Sequence, residues 1–178
     1  MRVIAGELRS RRIEGVPGVE TRPTPDRLRE TLFDILAPRI EGAVFVDAYA
    51  GTGAVGIEAL SRGAAHAYFL EKDRTALEVI QENLESLQLQ ARATVLTTPV
   101  ALTLSRIAGE AGIVFADPPY SLEREYEAFF AALAEYAPAL TIVQHSVRFA
   151  LPDAGPLRVS RTVRQGDNVL TFLEPRQP

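Results

Sequence analysis

Between residues 43 and 144, short apolar runs alternate with longer stretches whose apolar residues recur at helical spacing. The runs at 43–47, 67–71, 93–97, 113–117 and 140–144 are apolar almost throughout, the pattern of strands buried on both faces. The stretches at 54–61, 73–87, 99–108 and 122–136 read as helices. In the second of these, Leu77, Ile80, Leu84 and Leu87 mark one buried stripe. Regular strand–helix alternation predicts βαβ units and an α/β fold, a doubly wound, mostly parallel sheet with helices on both faces. After Pro152 the pattern changes. Two β-like runs, 157–163 and 168–173, flank Gln165-Gly166-Asp167 and predict a closing antiparallel hairpin.

The first forty residues follow a different pattern. Strand-like segments at 2–5 and 8–13 predict an N-terminal β-hairpin. Gly15, Pro17 and Gly18 mark a turn, and one helix follows. Thr24 is placed to cap it, with Pro25 at its first position. Leu28, Leu32, Ile35 and Leu36 then share a helical face, and Pro38 and Gly42 end it. The expected organisation is an N-terminal extension over residues 1–40, hairpin plus helix, and a main α/β domain over residues 41–178.

The chain has 178 residues, 47% of them hydrophobic, which suits one domain with a core. No apolar run is long enough to span a bilayer and the start MRVIAGELRSRR is not a secretory signal, so a cytoplasmic protein without membrane contact is expected. With no cysteine and only His66 and His145, thiolate chemistry and Cys- or His-rich metal sites are excluded. Both histidines border apolar runs and read as structural, no metal is expected, and the protein is expected to be a monomer. The net charge of −4 is unevenly spread. Residues 1–29 carry seven arginines (2, 9, 11, 12, 22, 27 and 29) against four acids, a locally basic arm on an acidic chain.

The first strand ends at Asp47, and Gly51-Thr52-Gly53-Ala54-Val55-Gly56 opens the next helix. Glycines there let the chain turn sharply and let a ligand approach the backbone. Glu71 closes the second strand, where a carboxylate can accept both hydroxyls of a ribose. The arrangement predicts an adenosine-containing cofactor, either a dinucleotide or S-adenosylmethionine. Asp47 at the mouth of the turn favours a cationic ligand over a pyrophosphate, which tilts the expectation to S-adenosylmethionine. The expected cofactor set is Asp47, Ala50, Gly51, Gly53, Glu71, Lys72 and Thr98.

The fourth strand ends at Asp117 and runs into Pro118-Pro119-Tyr120. Two prolines fix two φ angles and remove two donors, giving a stiff turn whose carbonyls lack local partners. With strands ordered 3-2-1-4-5, the first and fourth are neighbours at the switch point where ligands bind, so Asp47 and Asp117 should lie side by side. The exocyclic amine of a base is a poor nucleophile because its lone pair is delocalised. The Asp117 carboxylate and the Pro118 carbonyl are placed to accept its two hydrogens and favour a pyramidal nitrogen, while Tyr120 offers a stacking ring worth ~1–3 kcal/mol. Asp117, Pro118, Pro119 and Tyr120 are therefore the expected catalytic residues.

Asp117-Pro118-Pro119-Tyr120 resembles the (D/N)PP(Y/F) motif of amino-methyltransferases. Over nearly its whole length the chain resembles the bacterial 16S ribosomal RNA guanine-N2 methyltransferase family. The likeness is carried by residues 2–6, by 22–33 (RPTPDRLRETLF), by 50–63 (AGTGAVGIEALSRG) and by 117–120. It implies a seven-stranded methyltransferase fold and methyl transfer from S-adenosylmethionine to the N2 amine of a guanine in 16S rRNA, in an assembling or assembled small ribosomal subunit. It also implies that Arg9, Arg11, Arg12, Arg22 and Arg27 lie near the RNA. Three positions depart from the family pattern: Ser10 stands where glycine is usual, Gln144 where an acid closes the fifth strand, and Pro99 where an Asp or Asn contacts adenine. Adenine-N6 transfer on DNA or RNA is the alternative within the class, and a nicotinamide-dependent oxidoreductase the alternative outside it.

Overall fold

A computed structural model describes residues 1–17, 26–107, 109–119, 123–134 and 137–176. The N-cap expected at Thr24 and Pro25 lies outside them, as do the site candidates Arg22 and Tyr120. Helix α1 (Asp26–Ile40) precedes strand β1 (Val44–Ala48). There follow α2 (Ala54–Ser61), β2 (His66–Leu70), α3 (Arg74–Ser86), β3 (Ala93–Leu96), α4 (Val100–Ile107), β4 (Ile113–Ala116), α5 (Glu123–Ala132) and β5 (Leu140–Ser146). Strands β6 (Leu157–Gln165) and β7 (Asn168–Pro175) close the chain. The sheet has seven strands in the order β3-β2-β1-β4-β5-β7-β6. The first five are parallel, and β7 pairs antiparallel with both β5 and β6. This is the expected α/β architecture, with the terminal hairpin extending the sheet.

Alternation along each strand sends neighbouring residues to opposite faces, and both faces are apolar. Phe45, Phe69, Phe115, Ile142 and Phe172 pack with α1, α2 and α3 through residues such as Leu32, Ile57 and Ile80. Val46, Leu70, Val114, Val143 and Leu173 pack with α4 and α5 through Leu104, Tyr126 and Phe129. His66 and His145 are structural: each ring bonds a neighbouring strand's threonine, Thr94 and Thr171.

Two details differ from expectation. Helix α1 does not stop at Pro38, which sits in its last turn, and Ile40 continues into the core. The expected N-terminal hairpin is reduced to one bridge, Arg2 to Arg12, beside the bonds Val3 N–H to Arg11 O and Ile13 N–H to Met1 O. The physical reason lies on α2. The amides of Ile4 and Ala5, the second of which a continued ladder would use, donate instead to the buried Glu58 carboxylate at 2.8 and 3.0 Å. The amide of Leu8 donates to Ser61 Oγ. Val3, Ile13 and α1 thereby share the core of the α1–α3 face.

Arg29 does not belong to the basic surface. It is 1% exposed, donates to Arg2 O and Asp26, and lies 3.8 Å from the fully buried Glu58. Burial lowers its pKa, while the neighbouring carboxylates oppose that shift.

Candidate active site

Leaving β1, the chain turns through Tyr49, Gly51 and Gly53, all with φ between 57° and 77°. Gly53 caps α2 in the left-handed region without a side-chain bond. The cap is supplied from the strand below: Asp47 Oδ2 accepts the Gly56 amide at 2.8 Å, satisfying one of the helix's open first-turn donors. Gly56 is required for a different reason. A Cβ there would sit 2.4 Å from the Phe69 ring, so glycine lets α2 pack directly on β2.

Asp47 therefore sits beneath the turn rather than in its mouth. It is 1% exposed and does not line the neighbouring cleft. Burial raises its pKa well above the carboxylate range, with the charges of Asp117 and Glu71 adding to the effect and the Gly56 bond opposing it. In the structure this member of the expected cofactor set supports the glycine turn through its bond to Gly56. Ala50 is also buried, and its amide bonds Leu70 O, which fixes the turn against the end of β2.

Glu71 follows β2 and holds the turn from the other side. Its Oε2 accepts the Gly51 amide at 2.8 Å, and its Oε1 accepts the amides of Lys72 and Asp73 at 2.7 and 2.9 Å. Three backbone donors thus fix the carboxylate. A carboxylate has about four acceptor positions, so vicinal hydroxyls can still be accommodated. Among the described residues, chain neighbours aside, no heavy atom lies within 4 Å of the Cβ position above Gly51, so the backbone there is open to an approaching group.

A cleft of about 750 Å³ opens along the carboxyl edge of the parallel strands. Glu71, Lys72 and Leu70 come from the β2 side, Thr98, Pro99 and Val100 from the start of α4, and Asp117, Pro118 and Pro119 from the end of β4. Register places Asp47 opposite Phe115 and Ala48 opposite Ala116, so the tips of β1 and β4 meet as expected. Asp117 is partly open to the cleft, but protein surrounds its carboxyl and burial pushes its pKa up to about 7. Pro118 is buried and Pro119 exposed. Thr98 bonds Thr103 on α4 through their hydroxyls.

The cleft also holds residues that sequence reasoning missed. Tyr49 lines it and donates to Glu125 on α5 at 3.1 Å, and Lys72 approaches the other oxygen of Glu125 at 3.9 Å. Burial, then the Glu125 charge, raises the Tyr49 pKa. The far wall is the β6–β7 turn, Gln165 to Asn168, together with Gln144 of β5. A tyrosine next to a glycine turn is a usable signal. Nothing in spacing singles out Glu125, because helix α5 alone brings it to the cleft.

The described basic candidates lie outside the cleft. Arg9 and Arg27 are exposed with no side-chain partner among the described residues. Arg11 donates to Ser86 O at the end of α3, and Arg12, 73% exposed, pairs with Glu14.

A parallel sheet continued by an antiparallel hairpin, with a glycine turn and an Asp-Pro-Pro turn at adjacent strand tips, defines a Rossmann-like methyltransferase fold. The chain belongs to the conserved hypothetical protein 95 family, whose model matches residues 1–174. It is 34% identical over 174 residues to YlbH of Bacillus subtilis, provisionally named as an rRNA methyltransferase, covering 93% of this chain and 94% of that one. It is 41% identical over 120 residues to ribosomal RNA small subunit methyltransferase D of Escherichia coli, spanning 67% of this chain and 60% of that enzyme. Among solved structures, yhhF of Escherichia coli, provisionally named as a methyltransferase, superposes with a TM-score of 0.84 at 34% identity, covering 100% of this chain and 99% of that one.

Proposed function

We propose that the protein transfers a methyl group from S-adenosylmethionine to the exocyclic N2 amine of a guanine in 16S rRNA, within the small ribosomal subunit. The observation that carries the reading is the meeting of Glu71 and Asp117-Pro118-Pro119 in one cleft at the switch point of the sheet. The names of the similar proteins from Bacillus subtilis and Escherichia coli support rRNA as the substrate class.

The donor set fits this cofactor. Glu71 would take the ribose hydroxyls, Gly51 leaves open space for close approach, and the mixed wall of Thr98, Pro99 and Val100 would receive the adenine, with a backbone contact in place of an acidic side chain. Bound there, S-adenosylmethionine supplies an electrophilic methyl group. Asp117 and the Pro118 carbonyl accept the two hydrogens of the target amine and hold its lone pair toward the donor. Orientation supplies most of the rate, since in-line attack depends on position. After transfer the amine carries an extra proton, and a carboxylate whose pKa is about 7 is suited to receive it.

The test is to incubate the protein with labelled S-adenosylmethionine and small subunits lacking the modification, then digest the RNA and identify the nucleoside. The expected product is N2-methylguanosine. Label in N6-methyladenosine would overturn the guanine assignment, and Asp117→Ala with near-normal turnover would overturn the role of the Asp-Pro-Pro turn.

A further inference from the structure

A second basic region lies at the opposite end of the sheet from the N-terminal arm. Although the chain is net acidic, residues 147–176 carry arginines at 148, 158, 161, 164 and 176 against Asp153, Asp167 and Glu174. Strand β6, which carries three of them, is an edge strand with a bulge. Register passes from Val159–Leu173 to Arg161–Phe172, so Ser160 has no opposite residue. The bulge reverses the alternation of the strand, which turns Arg161 to the face of Phe172 and Arg164 to the other.

Two of the five arginines are engaged. Arg158 lies 3.8 Å from Glu174, and Arg176 donates to Gly155 O and Leu157 O. Three present free guanidinium nitrogens. Arg161 and Arg148 have no side-chain partner among the described residues. Arg164 uses only its Nε, on Gly166 O at 3.2 Å. All three are exposed. Arg164 and Arg148 flank the β6–β7 turn that walls the cleft, and Arg161 lies along the same edge strand four residues before Gln165, on its other face. Arg148 reaches the turn because the neighbouring Val147 amide bonds Asp167 O at 2.9 Å.

Charged residues on an edge strand also serve to discourage pairing with other sheets. That role accounts for Arg161 or Arg164, but any charge on the strand itself fulfils it. It does not account for Arg148, which follows β5 and stands with Arg164 at the turn that walls the cleft.

We propose that Arg148, Arg161 and Arg164 form a docking surface for the phosphate backbone of the substrate RNA, on the β6 side of the cleft. The inference rests on the rRNA reading above and adds a contact region that the N-terminal arm does not reach. From β3, near the arm, to β6 there are six strand steps, roughly 29 Å at ~4.8 Å per step. RNA contacted at both ends of that span straddles the cleft, so the target base enters between two anchored stretches of backbone.

The experiment compares wild-type protein, the variant Arg148→Ala/Arg161→Ala/Arg164→Ala, and Arg161→Glu/Arg164→Glu. Binding to an unmodified small-subunit rRNA transcript is measured across a salt series. Three lost phosphate contacts should lower the slope of log affinity against log salt by about 2–3, and weaken binding roughly 100-fold near ~0.1 M salt. The Glu variant should bind at least as poorly, while calorimetry with S-adenosylhomocysteine gives wild-type affinity for both variants. An unchanged slope overturns the proposal. So does an Ala variant that self-associates but binds RNA normally, or a Glu variant that binds as wild type, since both are the signatures of edge protection. Wild-type methylation of small subunits reports separately on the rRNA reading: if it occurs and the variants bind normally, only the docking surface fails, and if wild-type protein neither binds nor methylates, both fail.

Discussion

At Asp117 the proposed function and stability oppose each other. Burial raises its pKa to about 7, so the folded protein holds a proton that the unfolded chain has lost. Stability therefore falls as pH rises from the unfolded value near 3.8 toward 7, and the loss persists above it. Asp117→Asn should raise neutral-pH stability by about 1–2 kcal/mol and bring no gain at pH ~3, where both states are protonated; thermal melts at the two pH values check this. Activity should show the opposite dependence. kcat/KM should climb with pH through about 7, because only the ionised carboxylate accepts a hydrogen. The kcat profile should climb at lower pH, because a bound sulfonium favours the anion. Profiles flat through that region would contradict the assignment. The motif around Asp117 was legible because two prolines after a strand are rare and specific. Its raised pKa was not, since that depends on what other elements pack around it.

A second residue, Gly6, has φ +83°, and a Cβ there would meet Ser61 O at 1.9 Å. Gly6→Ala should cost about 2–4 kcal/mol, combining a left-handed penalty with a backbone clash, and should lower the melting temperature by ~5–15 °C. Ser10, with φ 68°, shows why glycine is usual at that position: the conformation is left-handed, and a serine adopts it at a cost.

Among the elements, α2 has the most attached to it. Its N-terminus forms the glycine turn, and its middle presents Glu58, whose carboxylate takes the Ile4 and Ala5 amides and the Arg62 guanidinium and faces Arg29. Glu58→Ala strands a buried arginine and should cost ~3–5 kcal/mol. Hydrogen exchange should show protection lost first at Ile4 and Ala5, before the sheet; uniform loss across the sheet would mean that the arm is not separately held. Glu71→Ala should weaken S-adenosylhomocysteine binding by about 10–100-fold in calorimetry, the worth of hydrogen bonds to a charged acceptor.

The parallel strands were legible because each carries an apolar run with a turn at its end. The N-terminal segments pair as read, but over a shorter stretch, because alternation alone cannot reveal that the next amides are taken by a glutamate more than fifty residues away. For the same reason Arg29 counted as surface charge in the sequence and is core in the structure.

At the scale of the molecule, charge is arranged rather than summed. The acidic total of −4 coexists with exposed arginines at Arg9, Arg11, Arg12 and Arg27 on one flank and with the β6 region on the other. Arg9→Ala/Arg11→Ala/Arg12→Ala should weaken rRNA binding and reduce its salt slope by up to about 2–3. The reduction should be smaller if the bond from Arg11 to Ser86 O and the pairing of Arg12 with Glu14 persist in the complex. An unaltered slope would place the RNA elsewhere. The order of the five parallel strands follows from general rules of connection and handedness. The position of the last two strands does not, because a hairpin pattern leaves open which of its strands joins the sheet.

The last of the described strands along the chain lies inside the sheet. β7 is flanked by β5 and β6, and Phe172 and Leu173 contribute to the two opposite cores. On a translating ribosome, β5 must wait as a bare apolar rim until about residue 175 clears the exit tunnel, with no earlier segment able to cover it. Chains truncated before Asn168 should depend on chaperones, while those that include β7 through Pro175 should fold without them.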